Sequence, residues 1–358
     1  MKGPRRYLRL LGLVLVTSLI LVAAGCGTKA AAPAGGTAAS NGNKGPSAAD
    51  FYKGKNLTFI VPYSVGGGFD KYARLLAPYL EKSLGATVVV LNRPGAGGLV
   101  GANELYQAKP DGLTIGILNV PGMIYNKITG EPNAKYDLDK YTWLARVTAE
   151  SRVTVVGKNT PFKTIKDFVT AGRPIKISFT GKGSDDYFSA AIAAKAFGFK
   201  IDSITGYGGS KEAELAVARG DVDGTQSTTS SIYPMIKQGD VRPLVQFALT
   251  KDPLVPGVPL ASDVVGPEGK ELVNIVTSII QLDRTIAAPQ GVPADRVKAL
   301  RDALAKSLQD PQLVAATQKA MLPLSYLSGE ETAKLVETVT AGTAKVKPII
   351  EESMKATK

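Results

Sequence analysis

The chain has 358 residues, a formal net charge of +12, no histidine and a single cysteine, Cys26. A Ser-His-Asp triad, a Cys-His pair and His- or Cys-based zinc sites therefore lack their residues, no disulfide can form within the chain, and catalysis is left only to carboxylate, Lys, Tyr or Ser chemistry. The basic surplus is not clustered: Lys2, Arg5, Arg6 and Arg9 sit at the start and the rest are interspersed with acids, which argues against a nucleic-acid partner and leaves a mild pull on anionic ligands or anionic membrane.

Residues 1–25 have a basic start, an apolar run from Leu8 to Ala24 and a small-residue exit before Cys26. The run is short for a membrane span and reads as a secretory signal peptide. The string Leu21-Val-Ala-Ala-Gly-Cys26 resembles the bacterial lipobox, with Ala23 where a large aliphatic residue is usual. That resemblance implies lipidation of Cys26, which would become the mature N-terminus. Residues 26–50 are rich in Ala, Gly, Ser, Asn, Thr and Pro and cannot bury a core, so they are expected to be a flexible tether.

The globular part opens on Leu57-Thr-Phe-Ile-Val-Pro-Tyr-Ser-Val-Gly-Gly-Gly-Phe-Asp70. This is a buried strand, a turn at Pro62, three glycines and a helix start. Such a junction presents free backbone N–H groups at the positive end of a helix dipole, a site for a small carboxylate. The helix runs to Leu84, Gly85 supplies its C′ residue, and Pro78 is expected to kink or split it. Ala86 to Leu91 is a β-branched run expected to form a strand covered on both faces. A second glycine turn, Asn92 to Gly101, leads into a helix through Ala108, and Leu113 to Leu118 forms a third strand. The alternation argues a parallel α/β unit. A dinucleotide site is excluded at the second turn, because Val100 stands where the third glycine belongs. A P-loop at Gly181-Lys-Gly-Ser184 fails likewise, because Lys176 occupies its required glycine position. No cofactor and no metal are expected.

A second α/β unit follows. Leu144 to Val147 and Val153 to Val156 are short strands, and Pro161 to Phe168 starts a helix with Thr164 as a candidate N-cap. Ile175 to Phe179 is a strand, Thr180 to Asp186 a strand-to-helix loop, and Tyr187 to Phe197 its helix. A helix begins within Ser203–Ser210 and runs through Arg219. Thr225 to Ser230 is a hydroxyl cluster, and Val241 to Ala248 is a strand. Ile279 to Pro289 is a late strand segment, followed by a long amphipathic helix from Asp295 and further helical pattern from Glu330. A late strand packs back on an earlier sheet, so domain 1 is expected to be discontinuous, 51–150 plus 281–358, with 151–280 as domain 2 and two crossing strands near 150 and 280.

The residues are now recognisable together. Ile60 to Asp70 with Arg74, Asn92-Arg-Pro-Gly-Ala-Gly-Gly98, Pro110-Asp-Gly-Leu-Thr-Ile-Gly116, Gly181 to Ser184, Tyr207-Gly-Gly209, Gly220-Asp-Val-Asp223 and Gly291-Val-Pro293 closely resemble the tripartite tricarboxylate transporter substrate-binding proteins, the Bug or TctC family. Val65 departs from the proline usual in that family. The resemblance spans about residues 55–345. It implies an α/β, two-domain periplasmic-binding-protein fold (Venus-flytrap, type II-like) with a ligand cleft between the domains.

It also implies a solute-binding protein rather than an enzyme, exported to the outer face of the cytoplasmic membrane or the periplasm. Its partners would be a small organic acid and a two-component membrane permease, and a monomer is expected. Matching the family motifs, Tyr63, Ser64, Gly66, Gly67 and Gly68 would hold one carboxylate. Asp70 would cap its helix or pair with a ligand amine. Ala96, Gly97 and Gly98 would add backbone donors, and Asn119 would contribute from the third strand end. Thr180, Gly183, Ser184 and Asp185 would form the opposing loop, with Tyr207, Thr225 and Ser227 beside it. No side-chain cation is assigned to the first loop. Di- and tricarboxylates, aromatic acids and amino acids all fit, and a sensor presenting its ligand to a membrane kinase is the alternative role.

Overall fold

In the strand Asn56–Val61, Leu57, Phe59 and Val61 enter one apolar core and Ile60 another, so both faces of this strand are covered. Everything else in the first half is laid beside it. The computed structural model describes residues 48–343 and 347–355. The signal peptide, Cys26 and most of the tether lie outside the described residues.

The first elements are α1 (Ala48–Tyr52), β1 (Asn56–Val61), α2 (Gly68–Leu84), β2 (Thr87–Asn92), α3 (Leu99–Gln107), β3 (Thr114–Leu118), α4 (Val120–Thr129) and β4 (Thr142–Arg146). Next come β5 (Arg152–Gly157), α5 (Lys166–Val169), β6 (Ile175–Ser178), α6 (Asp185–Phe197), β7 (Ile201–Ile204), α7 (Ser210–Arg219), β8 (Gly224–Thr228), α8 (Thr229–Gln238) and β9 (Val241–Phe247). The chain ends through α9 (Ala261–Val264), α10 (Lys270–Ile279), β10 (Thr285–Ala288), α11 (Ala294–Leu308), α12 (Pro311–Lys319), β11 (Leu327–Ser328), α13 (Gly329–Thr343) and α14 (Lys347–Met354). Two sheets result, in the strand orders β11-β4-β10-β3-β1-β2 and β7-β6-β8-β5-β9. The fold is α/β with two sheet-centred lobes. The chain passes from the first sheet to the second between β4 and β5 and returns between β9 and β10.

Neither sheet is purely parallel. β1 pairs in parallel with β2 and β3, but β10 runs antiparallel to both β3 and β4. In the second sheet β5 runs antiparallel to β8 and β9. Chain returns after long helical excursions produce this mixing, which the local βαβ rhythm does not encode. β2 is an edge strand with Val89 exposed, so the expectation of a doubly covered strand is corrected. Pro78 neither splits nor ends α2, which is continuous. Pro78 and Arg74 lie on its exposed face, where the carbonyl that loses its amide partner can meet water. Gly85 ends the helix in the left-handed conformation (φ 67°). Thr164 is not an N-cap: Asp167 accepts from the Lys163 and Thr164 N–H groups instead, and only α5 follows. β7, α8 and α10 carry no expectation from the sequence.

The lobes touch along one seam. Ser64 N–H donates to Gly208 O at 2.9 Å, and Asn126 Nδ2 donates to Gly183 O at 2.8 Å. Tyr125 of α4 stacks on Phe188 of α6 with ring centroids 4.9 Å apart. A Cβ on Gly97 would overlap the backbone N of Ser184, so the two glycine-rich loops meet backbone to backbone.

Candidate functional site

Between the lobes lies a narrow cavity of about 30 Å³. The first turns of four helices reach it: Gly68 of α2 with its N-cap Gly67, Asp185 and Asp186 of α6, Ser210 of α7, and Ser231 of α8 with its N-cap Thr228. Each helix end carries about half a positive charge, so four ends together contribute roughly two. A site of this kind favours an anion.

The side-chain cation absent from the sequence-based assignment is Arg284. It is 1% exposed and lines the cavity beside Gly67 and Gly68. Its guanidinium pairs with Glu150 (Nε–Oε1 2.8 Å) and Asp283 (Nη1–Oδ2 3.3 Å), and Nη2 donates to Thr228 Oγ1 at 3.0 Å. It also lies over the rings of Phe69 and Tyr72, at 4.4 and 5.0 Å from their centroids. Arg284 holds a left-handed φ of 49°. A non-glycine residue in that region is uncommon, and strained backbone of this kind clusters at active sites and ligand clamps. Burial alone would lower its pKa, but Glu150 and Asp283 more than offset this and hold it above the ordinary arginine value. Glu150 is itself pushed up by burial, against the pull of Arg284.

A second arginine, Arg152 at the start of β5, lines the other wall and forms a buried ion pair with Asp185. Asp185 Oδ1 also accepts from Asn119 Nδ2 at 2.6 Å, a contact between the lobes. Asn119 further donates to the Tyr63 hydroxyl at 2.5 Å, and that hydroxyl donates to Gly97 O at 3.1 Å. Burial raises the Tyr63 pKa, keeping the phenol neutral. Asp186 accepts from the N–H of Thr180 and Tyr187 and from the hydroxyls of Thr180 and Ser184. Burial pushes its pKa up despite these donors.

The expected residues separate into three groups. Tyr63, Gly67, Gly68, Thr180, Asp185, Thr225 and Ser227 line the cavity. Gly97, Gly98, Asn119 and Gly183 meet in an adjoining crevice of about 10 Å³, and Ser184 packs against Gly97. Ser64, Gly66, Asp70, Ala96 and Tyr207 lie outside both. The Gly66 N–H, expected to face a ligand, instead donates to Asp70 Oδ2 at 2.8 Å. Asp70 also accepts from Arg74 Nε at 2.8 Å and Asn92 Nδ2 at 3.0 Å, so its carboxylate is fully engaged within the loop. Burial raises the Asp70 pKa, but Arg74, the Gly66 N–H and Asn92 together bring it below the usual carboxylate range. Thr225 bonds Ser178 O, and Ser227 bonds Glu214. Arg152, Asp186, Gln226, Ser231 and Arg284 are cavity residues that sequence reasoning missed. A charged pair, Asp283-Arg284, inside the apolar run Ile279–Pro289 was the available signal for one of them. Among the described residues, no group of three His, Cys, Asp or Glu side chains could hold a metal ion.

The tripartite tricarboxylate transporter family receptor model matches residues 72–354. The chain belongs to this family. It is a substrate-binding protein rather than an enzyme, in a family of extracytoplasmic binding proteins. A UPF0065 protein encoded in the tcbD-tcbE intergenic region of Pseudomonas sp. (strain P51) is 27% identical over 296 residues, covering 81% of this chain and 85% of the relative. The periplasmic binding protein BugD superposes with a TM-score of 0.73 at 21% identity, covering 86% of this chain and all of that one. MatC of Rhodopseudomonas palustris, solved with malate bound, superposes with a TM-score of 0.70 at 23% identity, covering 82% and 99% of the two chains. At these identities the two structures establish the family receptor's two-lobed fold for this chain.

Proposed function

We propose that this chain is an extracytoplasmic solute-binding lipoprotein, anchored through Cys26, that captures a small organic carboxylate between its lobes and presents it to a two-component membrane permease. Residues 51–150 with 281–358 form one jaw, and 151–280 form the other. The observation that carries the reading is the convergence of four helix N-termini and Arg284 on one buried cavity. Gly67, Gly68, Ser231 and Arg284 receive the carboxylate. At about 30 Å³ the cavity has room for about two water molecules. A ligand therefore enters only when the jaws part, the motion on which a flytrap receptor depends. The malate found in MatC agrees in chemistry with this assignment.

A thermal-shift screen of the purified mature protein against carboxylic acids and neutral sugars tests it. A ligand at a hundred times its Kd stabilises the native state by about 2.7 kcal/mol. Stabilisation by a carboxylic acid is the expected result. A midpoint raised by a neutral sugar and by no carboxylic acid would refute the assignment.

A further inference from the structure

Glu214 of α7 is a carboxylate, 3% exposed, that stands one hydroxyl behind the cavity wall. Ser227, which lines the cavity, donates to its Oε1 at 2.5 Å. The start of the same helix lies against the first jaw, since a Cβ on Gly67 would come within 3.2 Å of Ser210 Oγ. Among the described residues the charges that act on Glu214 are Lys71 of α2 and Arg284, and neither forms an ion pair with it. The elements packed on α7 add no other. β6 presents Ser178, whose Oγ donates to Ala213 O at 3.0 Å, and β8 presents Ser227. β5 and α8 present Val153, Val155 and Ile232, in a cluster that the half-buried Tyr233 borders. Arg152 pairs with Thr228 in the β5–β8 register and so lies on the opposite face. On α7 itself, Glu212 accepts from the Gly208 N–H, and Lys211 extends along Gly66.

Both guanidiniums of the cavity are committed to acids. Arg152 is paired with Asp185, and Arg284 stands between Glu150 and Asp283. Asp186 accepts from Thr180, Ser184 and Tyr187, and each of these bonds favours its ionised form. Glu214 has the Ser227 hydroxyl alone among the described residues. An anion seated at Arg284 cancels part of the field that Arg284 exerts on Glu214 and adds its own repulsion, at short range and out of water. The carboxylate with the fewest donors gives way first and takes a proton from solvent. Its hydrogen bond then reverses: the Glu214 O–H donates to Ser227 Oγ, and the Ser227 hydroxyl hydrogen is released toward the cavity, where a ligand oxygen accepts it. Burial already holds this carboxyl up at about 7, against the pull of Ser227, Lys71 and Arg284, so the uptake falls in the neutral range.

Resting on the carboxylate reading of the Arg284 end, we infer that this receptor captures its ligand together with a proton, and that Glu214 receives it. Binding is then tighter toward acid and looser toward alkali. Glu214 is a positioning residue that acts on the ligand through Ser227.

Calorimetric titration of the mature protein with malate, succinate, adipate, hexanoate and benzoate tests this. From about pH 7 to about pH 9 these acids are ionised, so their own protons do not enter the balance. At about pH 7.5 the heats measured in HEPES and in Tris should differ by the uptake of about half a proton or more per ligand bound. Affinity should fall about fivefold or more from about pH 7 to about pH 9. Glu214→Gln, whose amide donates to Ser227 as the protonated acid does, should show no proton uptake and a flat affinity over this range. At about pH 9 it should bind at least as tightly as wild type. A binding acid that brings no proton with it, or an uptake that persists in Glu214→Gln, overturns the inference while the carboxylate reading stands. Failure of all five acids at every pH overturns both.

Discussion

Gly68 lies directly against the guanidinium of Arg284: a Cβ on Gly68 would overlap Arg284 Nη2 and Ser231 Oγ. The first residue of α2 must therefore be glycine for reasons of space, not of conformation, since alanine would otherwise favour the helix by about 1 kcal/mol. Gly68→Ala should keep the far-UV circular dichroism of the wild type and weaken ligand binding at least about tenfold, by displacing Arg284 from the helix end. Unchanged affinity would show that Arg284 does not meet the ligand.

The same loop is braced from behind by Asp70, which joins the Gly66 N–H, Arg74 and Asn92. Its folded pKa lies below the ordinary value, so the stabilisation it gives is complete above about pH 4 and is lost as pH falls through the folded pKa. Asp70→Asn should cost about 1–3 kcal/mol at pH 7 in urea melts, and the gap to wild type should close toward pH 3. Equal stability at pH 7 would mean that the brace contributes nothing.

The sequence made the backbone of this site readable and left much of its chemistry hidden. Gly67, Gly68 and Gly85 act at helix ends, where glycine's meaning is local, and each lies at or beside a helix end in the fold. The run Val88-Val-Val90 has no period, so it reads the same at an edge as in a sheet centre; only the strand order decides. Arg284 and Glu150 are far apart in the chain, and their pairing depends on both crossovers passing the same point. Gln226 stands among hydroxyls in the sequence, and its place in the cavity wall depends on how β8 pairs with β5. Loop conformation is a near-neighbour property, whereas a buried charge network is a property of the assembled fold.

Glu214 gives the fold a pH dependence of the opposite sign to Asp70. Burial, only partly countered by Ser227, pushes its carboxyl up to about 7. In the unfolded chain it titrates near 4.3. Between these values the folded state holds a proton that the unfolded state has released, so stability falls as pH rises from about 4.5 to about 7 and is flat above that. The loss from this one group is on the order of 3 kcal/mol. Glu214→Gln should match wild type near pH 4.5 and exceed it in denaturant melts at pH 8. Parallel pH profiles for the two proteins would rule this out.

The proposed anchoring through Cys26 can be tested apart from binding. In cells fed a labelled fatty acid, the wild-type chain should incorporate label and sediment with membranes, because multiple acyl chains hold a protein there stably. Cys26→Ser should lose the label and the sedimentation, yet keep its ligand affinity after purification. A labelled Cys26→Ser protein, or an unlabelled wild type, would count against the lipid anchor.

At the seam between the lobes the two glycine-rich loops meet backbone to backbone. Gly97 has φ 67°, and a Cβ there would overlap the backbone N of Ser184. Neither backbone can withdraw alone, since Gly97 O holds Tyr63 and the 181–184 loop is tied through Gly183 O to Asn126. Gly97→Ala should therefore prop the jaws apart instead of unfolding either lobe. Small-angle scattering should report a larger radius of gyration than wild type under the same ligand-saturating conditions. Affinity should fall at least about tenfold, because an open cleft cannot bring Arg284 and the opposing wall onto one ligand. A variant that stays as compact as wild type and binds as tightly would show that closure does not depend on this contact.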